Sequence, residues 1–139
     1  MIRTLLFTAT LACATVAAAT NARTETWGAI AIDNDGLYRS RWAHPTREEA
    51  GAVYELCVKN SERPKSCEYQ VAGGKEWVAA VFCRNAKGRR GMARGGPTAK
   101  RAIVNAYKAQ LNGSPFKKAD CVLRALISAD GSQLKYKQE

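Results

Sequence analysis

The chain contains two stretches with the same order of apolar runs, turns and helix signals. The first begins with a nearly all-apolar run, WGAIAID at residues 27–33, followed by the turn sequence DNDG at residues 33–36 and an alternating run at residues 37–42. Asp-Gly turns favour hairpins, and continuous apolar runs are typical of strands buried on both faces. We therefore predict a β-hairpin at the start of this stretch.

A helix and a third strand follow the hairpin. Thr46 and Glu49 have the spacing of a capping box, which satisfies free N–H groups at a helix start. The next apolar residues recur at intervals of three and four, as in a helix that packs one face on a sheet. These residues are Ala50, Val53, Tyr54 and Cys57. After a polar loop, residues 67–72 alternate enough to predict a strand.

The second stretch repeats this order. WVAAVFC at residues 77–83 aligns with WGAIAID at an offset of 50, Pro97-Thr98 with Pro45-Thr46 at 52, and Cys121 with Cys67 at 54. An offset that grows by two at each connection is what two small loop insertions in a tandem unit would produce. The second unit thus predicts strands at residues 77–84, 89–94 and 121–128, and a helix at about residues 99–111.

The fold class predicted from these elements is α+β. Two pseudo-repeats of strand, strand, helix and strand, at about residues 27–73 and 77–129, give a largely antiparallel sheet with two helices packed on it. The pattern leaves open whether the repeats form one continuous sheet or two facing halves. With 139 residues, of which 46% are hydrophobic and 24% charged, the composition excludes a disordered chain and predicts one domain at residues 23–139.

Residues 1–22 have the layout of a secretory signal peptide. Arg3 precedes an apolar run, and the small residues after it predict cleavage after Ala22 or Ala19. The run is too short for a membrane span followed by a stop. A lipid anchor on Cys13 is the alternative, although residues 10–12 are a poor approach to a lipidated cysteine. We therefore predict a secreted or periplasmic protein without a membrane span.

Four cysteines remain beyond the signal peptide: Cys57, Cys67, Cys83 and Cys121. An even set in an oxidising compartment predicts disulfides, and four cysteines allow three pairings. Cys57 ends the first helix and Cys67 opens the next strand, whereas the equivalent helix position in the second unit is Ala109. The spacing therefore favours bridges from Cys57 to Cys67 and from Cys83 to Cys121. A zinc site is the competing use, but CxxC spacing is absent and the chain has one histidine. No metal or other cofactor is predicted.

The positive charge is concentrated in the second unit. Residues 23–74 carry seven Lys and Arg against eight Asp and Glu, whereas residues 75–139 carry 14 against four. The formal net charge of +10 therefore comes from one half of the chain. Its field attracts anionic polymers, membrane surfaces or acidic proteins. A solvated basic surface without a specific ligand is the alternative.

The densest basic segment is RRGMARGGPTAKR at residues 89–101. Glycines allow close approach of the backbone, and a helix N-terminus offers free N–H groups to an anion. Two basic residues fall in the first helical turn, where each opposes the helix dipole by about 0.3–1 kcal/mol. The first unit has Glu48 and Glu49 there. We predict a site for an anion or a partner at five residues: Arg89, Arg90, Arg94, Lys100 and Arg101. Alternatively, the glycines turn a corner and the basic side chains are solvated.

The order of these motifs resembles a secreted bacterial family known as domain of unknown function 4189. The shared features are WGAIA, the Asp-Gly hairpin, a Pro-Thr-Arg helix start with Ala50, a helix-ending Cys57 and a strand-opening Cys67, over about residues 27–129. Members typically have a helix-ending cysteine in the second unit, where this chain has Ala109. The resemblance implies an exported, disulfide-bonded α+β domain with no set of catalytic residues.

The candidate catalytic residues have simpler structural interpretations, so we predict that the protein is not an enzyme. His44 precedes Pro45 at a corner, where a surface histidine is a simpler interpretation than a general acid or base. Cysteines in disulfides supply no thiolate nucleophile. Asp33 and Asp35 fit hairpin chemistry better than a carboxylate pair or a calcium loop. An uncharacterised hydrolase is the remote alternative.

The leading functional hypothesis is an exported, non-enzymatic binding module whose basic second unit binds a polyanion. Such binding would depend steeply on salt. The alternative is a periplasmic inhibitor or immunity protein that binds an acidic protein through defined contacts. The three tryptophans are interpreted as core residues rather than as stacking platforms for nucleic-acid bases. They are Trp27, Trp42 and Trp77.

Overall fold

The computed structural model describes residues 25–132. The predicted signal peptide, its cleavage sites and Cys13 lie outside the described residues. The first repeat consists of β1 (Trp27–Ile32), β2 (Tyr38–His44), α1 (Arg47–Gly51), α2 (Val53–Asn60) and β3 (Glu68–Gly73). The second repeat consists of β4 (Trp77–Asn85), β5 (Gly88–Gly96), α3 (Ala99–Leu111) and β6 (Cys121–Ser128). Short 3₁₀ turns at Pro64–Ser66 and Lys118–Asp120 precede β3 and β6.

The six strands form two three-stranded antiparallel sheets with the orders β2-β1-β3 and β5-β4-β6. Each repeat therefore builds its own sheet, with its first strand in the middle. Trp27 pairs with Gly73 and Trp77 pairs with Ser128 at corresponding ends of the two sheets. The predicted α+β class and the tandem repeat are confirmed, and the repeats form two facing halves rather than one continuous sheet.

The two sheets face each other, and each carries its helices on the outer side. Ile30 and Ile32 of β1 share a buried cluster with Val78 of β4, so this cluster lies between the sheets. The alternate residues point the other way, since Ala29 packs beneath α1 and α2 and Ala79 packs beneath α3. The layers are therefore helix, sheet, sheet and helix. The central strands are buried on both faces, which is why their sequences are continuous apolar runs.

The hairpin turn of the first repeat contacts both edge strands of the second. A Cβ atom at Gly91 of β5 would overlap the carbonyl oxygen of Asp33. The Gly91 N–H donates to Asn34 Oδ1 at 3.2 Å. Arg124 of β6 donates through Nε to the carbonyl oxygen of Gly36 at 3.3 Å. These contacts fix how the two sheets face each other, and they require a residue without a side chain at position 91.

The two helical segments begin alike, but the first is interrupted. Thr46 Oγ1 accepts from the Glu49 N–H at 3.2 Å, and Thr98 Oγ1 accepts from the Arg101 N–H at 3.1 Å. Both threonines therefore cap a helix start. Of the capping box predicted at Thr46 and Glu49, only the threonine half is present, and the Glu49 carboxylate lies against His44 instead. A turn at Ala52 then separates α1 from α2, whereas α3 continues without a break. The single first helix predicted from the sequence is therefore two short helices.

The interruption changes which side chains reach the core. Val53 and Cys57 are buried as predicted, but Tyr54 is 37% exposed, which corrects its predicted place in the inner stripe. The last buried residue is Cys57 in α2 and Gln110 in α3. By burial, Gln110 rather than Ala109 is therefore the equivalent of Cys57 in the second repeat. The Gln110 Nε2 group donates to the carbonyl oxygens of two strand residues at 2.8 and 2.7 Å. A buried amide thus ties the end of α3 to its sheet, where the first repeat has a disulfide.

Both predicted disulfides are present. Cys57–Cys67 joins the last turns of α2 to the residue before β3, and Cys83–Cys121 joins β4 to β6 at directly opposed positions. Each repeat therefore contains one bridge, and the two close loops of 10 and 38 residues. Closing a loop restricts the unfolded chain and so stabilises the fold. Two disulfides fit an extracellular or periplasmic protein.

The tryptophans do not all contribute to the core. Each sheet and its helices enclose an apolar cluster, which we call the helix-side cluster. Trp27 and Trp77 are partly buried against the helix-side clusters of their own repeats. Trp42 is 39% exposed and lies against Gly131, after β6, so closely that a Cβ atom there would clash with its indole ring. The prediction that Trp42 is a core residue is therefore wrong. Its position on β2, an edge strand, is the physical reason for its exposure.

Candidate functional site

The outer surface of α3 carries positive charge without a compensating carboxylate. Its sequence, AKRAIVNAYKAQL, contains no Asp or Glu, and Lys100, Arg101 and Lys108 are exposed. Residues seven or eight apart lie two turns apart on one side of a helix, so these three side chains share one face. Within residues 25–132, no carboxylate forms an ion pair with any of them. We call these three residues the basic face.

The opposite outer layer has a different charge. The exposed surface of α1 and α2 combines two basic residues with three acidic ones: Arg47, Lys59, Glu48, Glu49 and Glu55. The charge asymmetry between the two halves of the sequence therefore becomes an asymmetry between the two outer faces of a layered molecule. The field from such an arrangement orients an anionic partner toward the α3 side.

The first turns of α1 and α3 carry opposite charges. Lys100 and Arg101 follow Thr98 in α3, and Glu48 and Glu49 follow the equivalent capping threonine in α1. The two caps have nearly the same backbone angles, with φ of −127° and −134°. Acidic residues in a first helical turn are favourable and basic ones are unfavourable. The second repeat thus has opposite charges on the same local geometry, at a cost in stability.

The structure separates the five residues predicted for the anion site. Arg89 Nη1 lies 3.0 Å from Asp35 Oδ1, and Arg63 Nε lies 3.4 Å from Oδ2 of the same carboxylate. Arg94 lies 3.7 Å from Glu68 on β3. Asp35 Oδ1 is buried without a directed hydrogen bond, so its contact with Arg89 is an ion pair. Arg89 and Arg94 therefore contact carboxylates of the first repeat.

The remaining three predicted residues lie on the α3 side. Ala93 belongs to the cluster between the sheets, so alternation along β5 places Arg90 on the opposite face, toward α3. Arg90 is partly buried. Lys100 and Arg101 are neighbours on the basic face. Lys108 also belongs to this face, although it is not one of the five predicted residues. The sequence contains the relevant indication, because Lys108 lies seven residues, or two helical turns, after Arg101.

The glycines before α3 serve packing. A Cβ atom on Gly96 would lie 2.6 Å from the backbone nitrogen of Ala102, so a glycine lets the end of β5 pass close to the helix. The Gly95 carbonyl oxygen accepts from Asn105 Nδ2 at 2.9 Å. The N–H of Arg101 is bonded to Thr98. Gly95 and Gly96 are therefore paired strand residues that allow close packing against α3, and the candidate site consists of side chains rather than of a backbone cradle.

A groove of about 540 Å³ borders the basic face. It lies where β3 and β5 approach each other, and its charged lining residues are Arg94, Lys108 and Glu76. Lys108 thus belongs to both the groove and the basic face. The mixed charge of the groove makes it less suited to a polyanion than the exposed surface of α3.

The residues considered for catalysis have structural partners. Asp33 is buried, and its Oδ1 accepts from the N–H groups of Asp35 and Leu37 at 2.9 Å each, while Oδ2 accepts from Ser61 Oγ at 2.6 Å. It therefore stabilises the hairpin turn, as predicted. His44 ends β2, and its Nδ1 lies 3.7 Å from Glu49 Oε2. Within residues 25–132, no group of three or more His, Cys, Asp or Glu side chains is placed to hold a metal ion.

One carboxyl in the second repeat has a perturbed pKa. Asp120 Oδ2 accepts from the Lys117 N–H at 2.8 Å and from Asn85 Nδ2 at 3.1 Å. The backbone hydrogen bond from Lys117, followed by the one from Asn85, lowers the pKa of this carboxyl below its usual 3.8. These bonds hold the 3₁₀ turn before β6 against the end of β4. Asp120 is thus engaged in structure and does not neutralise the basic face.

The fold and the charge distribution define a disulfide-bonded α+β protein of two repeats with one basic outer face. No protein-family model, no curated protein and no solved structure matches the chain. The resemblance to domain of unknown function 4189 therefore stays a prediction. Among residues 25–132, none of the helices is long and apolar enough to cross a membrane.

Proposed function

We propose that this protein is an exported, non-enzymatic module that binds an anionic polymer through the basic face of α3. The observation that carries the proposal is the set of three exposed cations, Lys100, Arg101 and Lys108, on a helix without acidic residues. Two of them occupy positions where they destabilise the helix. A binding role accounts for this arrangement, since the same charges that oppose the dipole attract a polyanion.

The other features of the protein are consistent with this role. The two disulfides fit an extracellular or periplasmic location. Asp33 and Asp35 are held by hairpin and ion-pair contacts, and all four cysteines of residues 25–132 are bridged. These partners support a binding function over a hydrolytic one. A row of exposed cations suits a polymer with repeated charges, because each phosphate, sulfate or carboxylate can contact one side chain.

The test is binding of duplex DNA and heparin to the oxidised protein at several salt concentrations. The test variant replaces three residues of the basic face by alanine: Lys100, Arg101 and Lys108. The control variant removes the same charge from the first repeat: Arg47, Lys59 and Lys65. Three phosphate contacts give a fall in DNA affinity of about 40-fold between 50 and 200 mM salt. We expect the test variant to lose both the binding and most of this salt dependence.

Two outcomes would contradict the proposal. If the test and control variants bind equally, the binding reflects net charge and not the basic face. If the unaltered protein binds neither polymer at low salt, the partner is not a polyanion. Capture of one acidic protein in a stoichiometric complex would then support the hypothesis of an inhibitor or immunity protein.

A further inference from the structure

The helices cover the outer face of the sheet less completely in the first repeat than in the second. Before the break at Ala52 the helices align at an offset of 52, since Ala50 and Ala102 are both buried. This alignment places Gly51 opposite Ile103. In the second repeat, Ile103 packs against the helix-side cluster together with Leu123 of β6. In the first repeat, the small residues and the break between α1 and α2 leave this space open. A Cβ atom on Gly51 would meet nothing closer than 3.8 Å.

The open space is a groove of about 400 Å³ between α1, α2 and β3. This volume falls within the range of ligand pockets, about 300–1,000 Å³. Two tyrosines form its aromatic part. The rings of Tyr54 and Tyr69 lie 5.2 Å apart at an angle of 39°, and the residues are 37% and 49% exposed. Packing of one ring on the other restricts both, so the groove presents an ordered aromatic surface to solvent.

The corresponding positions in the second repeat show that this exposure is not a consequence of the fold. By burial along the helices, Tyr107 is the equivalent of Tyr54. By strand register, Leu123 is the equivalent of Tyr69, since Tyr69 pairs with Ala31 of β1 and Leu123 pairs with Val81 of β4. Tyr107 and Leu123 are partly buried against the helix-side cluster. The same architecture can therefore cover this surface, and the first repeat leaves it uncovered.

The rim of the groove supplies polar groups of both signs. Arg47, Glu48 and Glu55 line it with the two tyrosines. Within residues 25–132, none of these three charged side chains forms an ion pair, and neither tyrosine hydroxyl is hydrogen-bonded. The groove thus offers carboxylate acceptors, guanidinium donors and hydroxyls beside two aromatic rings. Its charge of one positive and two negative groups disfavours a polyanion.

We propose that this groove is a binding site for a neutral saccharide. A pyranose ring has a face of C–H groups, which packs on an aromatic ring, and an edge of hydroxyls, which bond to carboxylates and guanidinium groups. Both requirements are met here by neighbouring side chains. The site lies in the layer opposite the basic face, so it goes beyond the proposed polyanion binding and does not depend on it.

The experiment is a titration of the isotope-labelled, oxidised protein with cellohexaose and with an N-acetylglucosamine hexamer, followed by NMR chemical shifts. A shallow surface site predicts a dissociation constant on the order of 1 mM for one of them, with shifts around Tyr54 and Tyr69. The variant Gly51→Ile fills the groove with the residue that the second repeat uses. Because Gly51 has open space and no positive φ, this variant is expected to fold.

We expect Gly51→Ile and Tyr69→Ala each to weaken saccharide binding at least tenfold. A matched control, Val122→Ser, removes an equally exposed apolar side chain from β6 and should leave binding unchanged. The triple alanine variant of the basic face should also keep it, which separates this site from the polyanion site. The proposal is overturned if neither saccharide shifts the tyrosine signals, if Gly51→Ile binds as well as the unaltered protein, or if a proline-rich peptide binds there and the saccharides do not.

Discussion

The charges at the start of α3 give a prediction in which stability and binding change in opposite directions. The perturbation is Lys100→Glu with Arg101→Glu, which gives α3 the first-turn charges that α1 has at Glu48 and Glu49. The capping geometry needed for this exchange is already present, because Thr98 accepts from the Arg101 N–H. The substitution therefore changes the interaction with the helix dipole and leaves the backbone contacts in place.

The size of the effect follows from the dipole. Removing an unfavourable charge and adding a favourable one each contribute about 0.3–1 kcal/mol per residue. Both side chains are exposed, and salt screens such charges, so the sum for two residues falls toward the lower end, at about 1–2 kcal/mol. Since 1 kcal/mol moves the midpoint of thermal unfolding by roughly 4–8 °C in a domain close to this size, we expect a rise of roughly 4–16 °C.

The assay is thermal unfolding of the oxidised protein at low salt, beside DNA binding. The double variant should be more stable and should lose most of its affinity for DNA. The reverse exchange, Glu48→Lys with Glu49→Arg, is the matched control and should be less stable by a similar amount, with somewhat more lost because Glu49 also contacts His44. A double variant that is less stable than the unaltered protein would refute the assignment of these cations to an unfavourable position.

Three further predictions concern the structure that holds the faces in place. Gly91→Ala should destabilise the protein by about 1–3 kcal/mol or more in urea unfolding, because the added methyl overlaps a hairpin carbonyl, whereas Gly51→Ala should not be destabilising. Gln110→Leu should cost about 1–3 kcal/mol in the same assay, because two carbonyl oxygens lose their buried donor; an unchanged midpoint would show that removal of the buried, unpartnered Gln110 Oε1 offsets this loss. The lowered pKa of Asp120 contributes stability that is present above pH 3.8 and is lost as the pH falls through the folded-state pKa. Asp120→Asn should therefore show a smaller loss of stability between pH 4 and pH 2 than the unaltered protein.

Most of the fold could be predicted from the sequence because its main constraints are local. The apolar runs, the Pro-Thr caps and the spacing of the cysteines determine the strands, the helix starts and the two disulfides. The break at Ala52 could not be predicted, because the stripe from Ala50 to Cys57 fits a continuous helix as well. Its consequences, an exposed Tyr54 and a match between Cys57 and Gln110, depend on packing between α2 and the sheet.

The candidate site was only partly predictable for a similar reason. Lys100 and Arg101 can be predicted because they oppose the helix dipole, which is a property of the sequence. The sequence does not distinguish Arg89 and Arg94 from them, but these two side chains contact Asp35 and Glu68 of the other repeat. Contacts between repeats depend on how two sheets face each other, and no periodic pattern within one repeat specifies that arrangement.

The layered architecture explains where the two repeats could diverge. The inner faces of β1 and β4 bury each other, so a change in one must be matched in the other to keep the packing dense. The outer helices carry no such constraint on their exposed sides. Two of the differences between the repeats occur there: charge reversal in the first turn of α3, and the open groove beside Gly51. Because the basic face and the proposed saccharide groove belong to different outer layers, we expect a polyanion bound at the first to leave the second accessible.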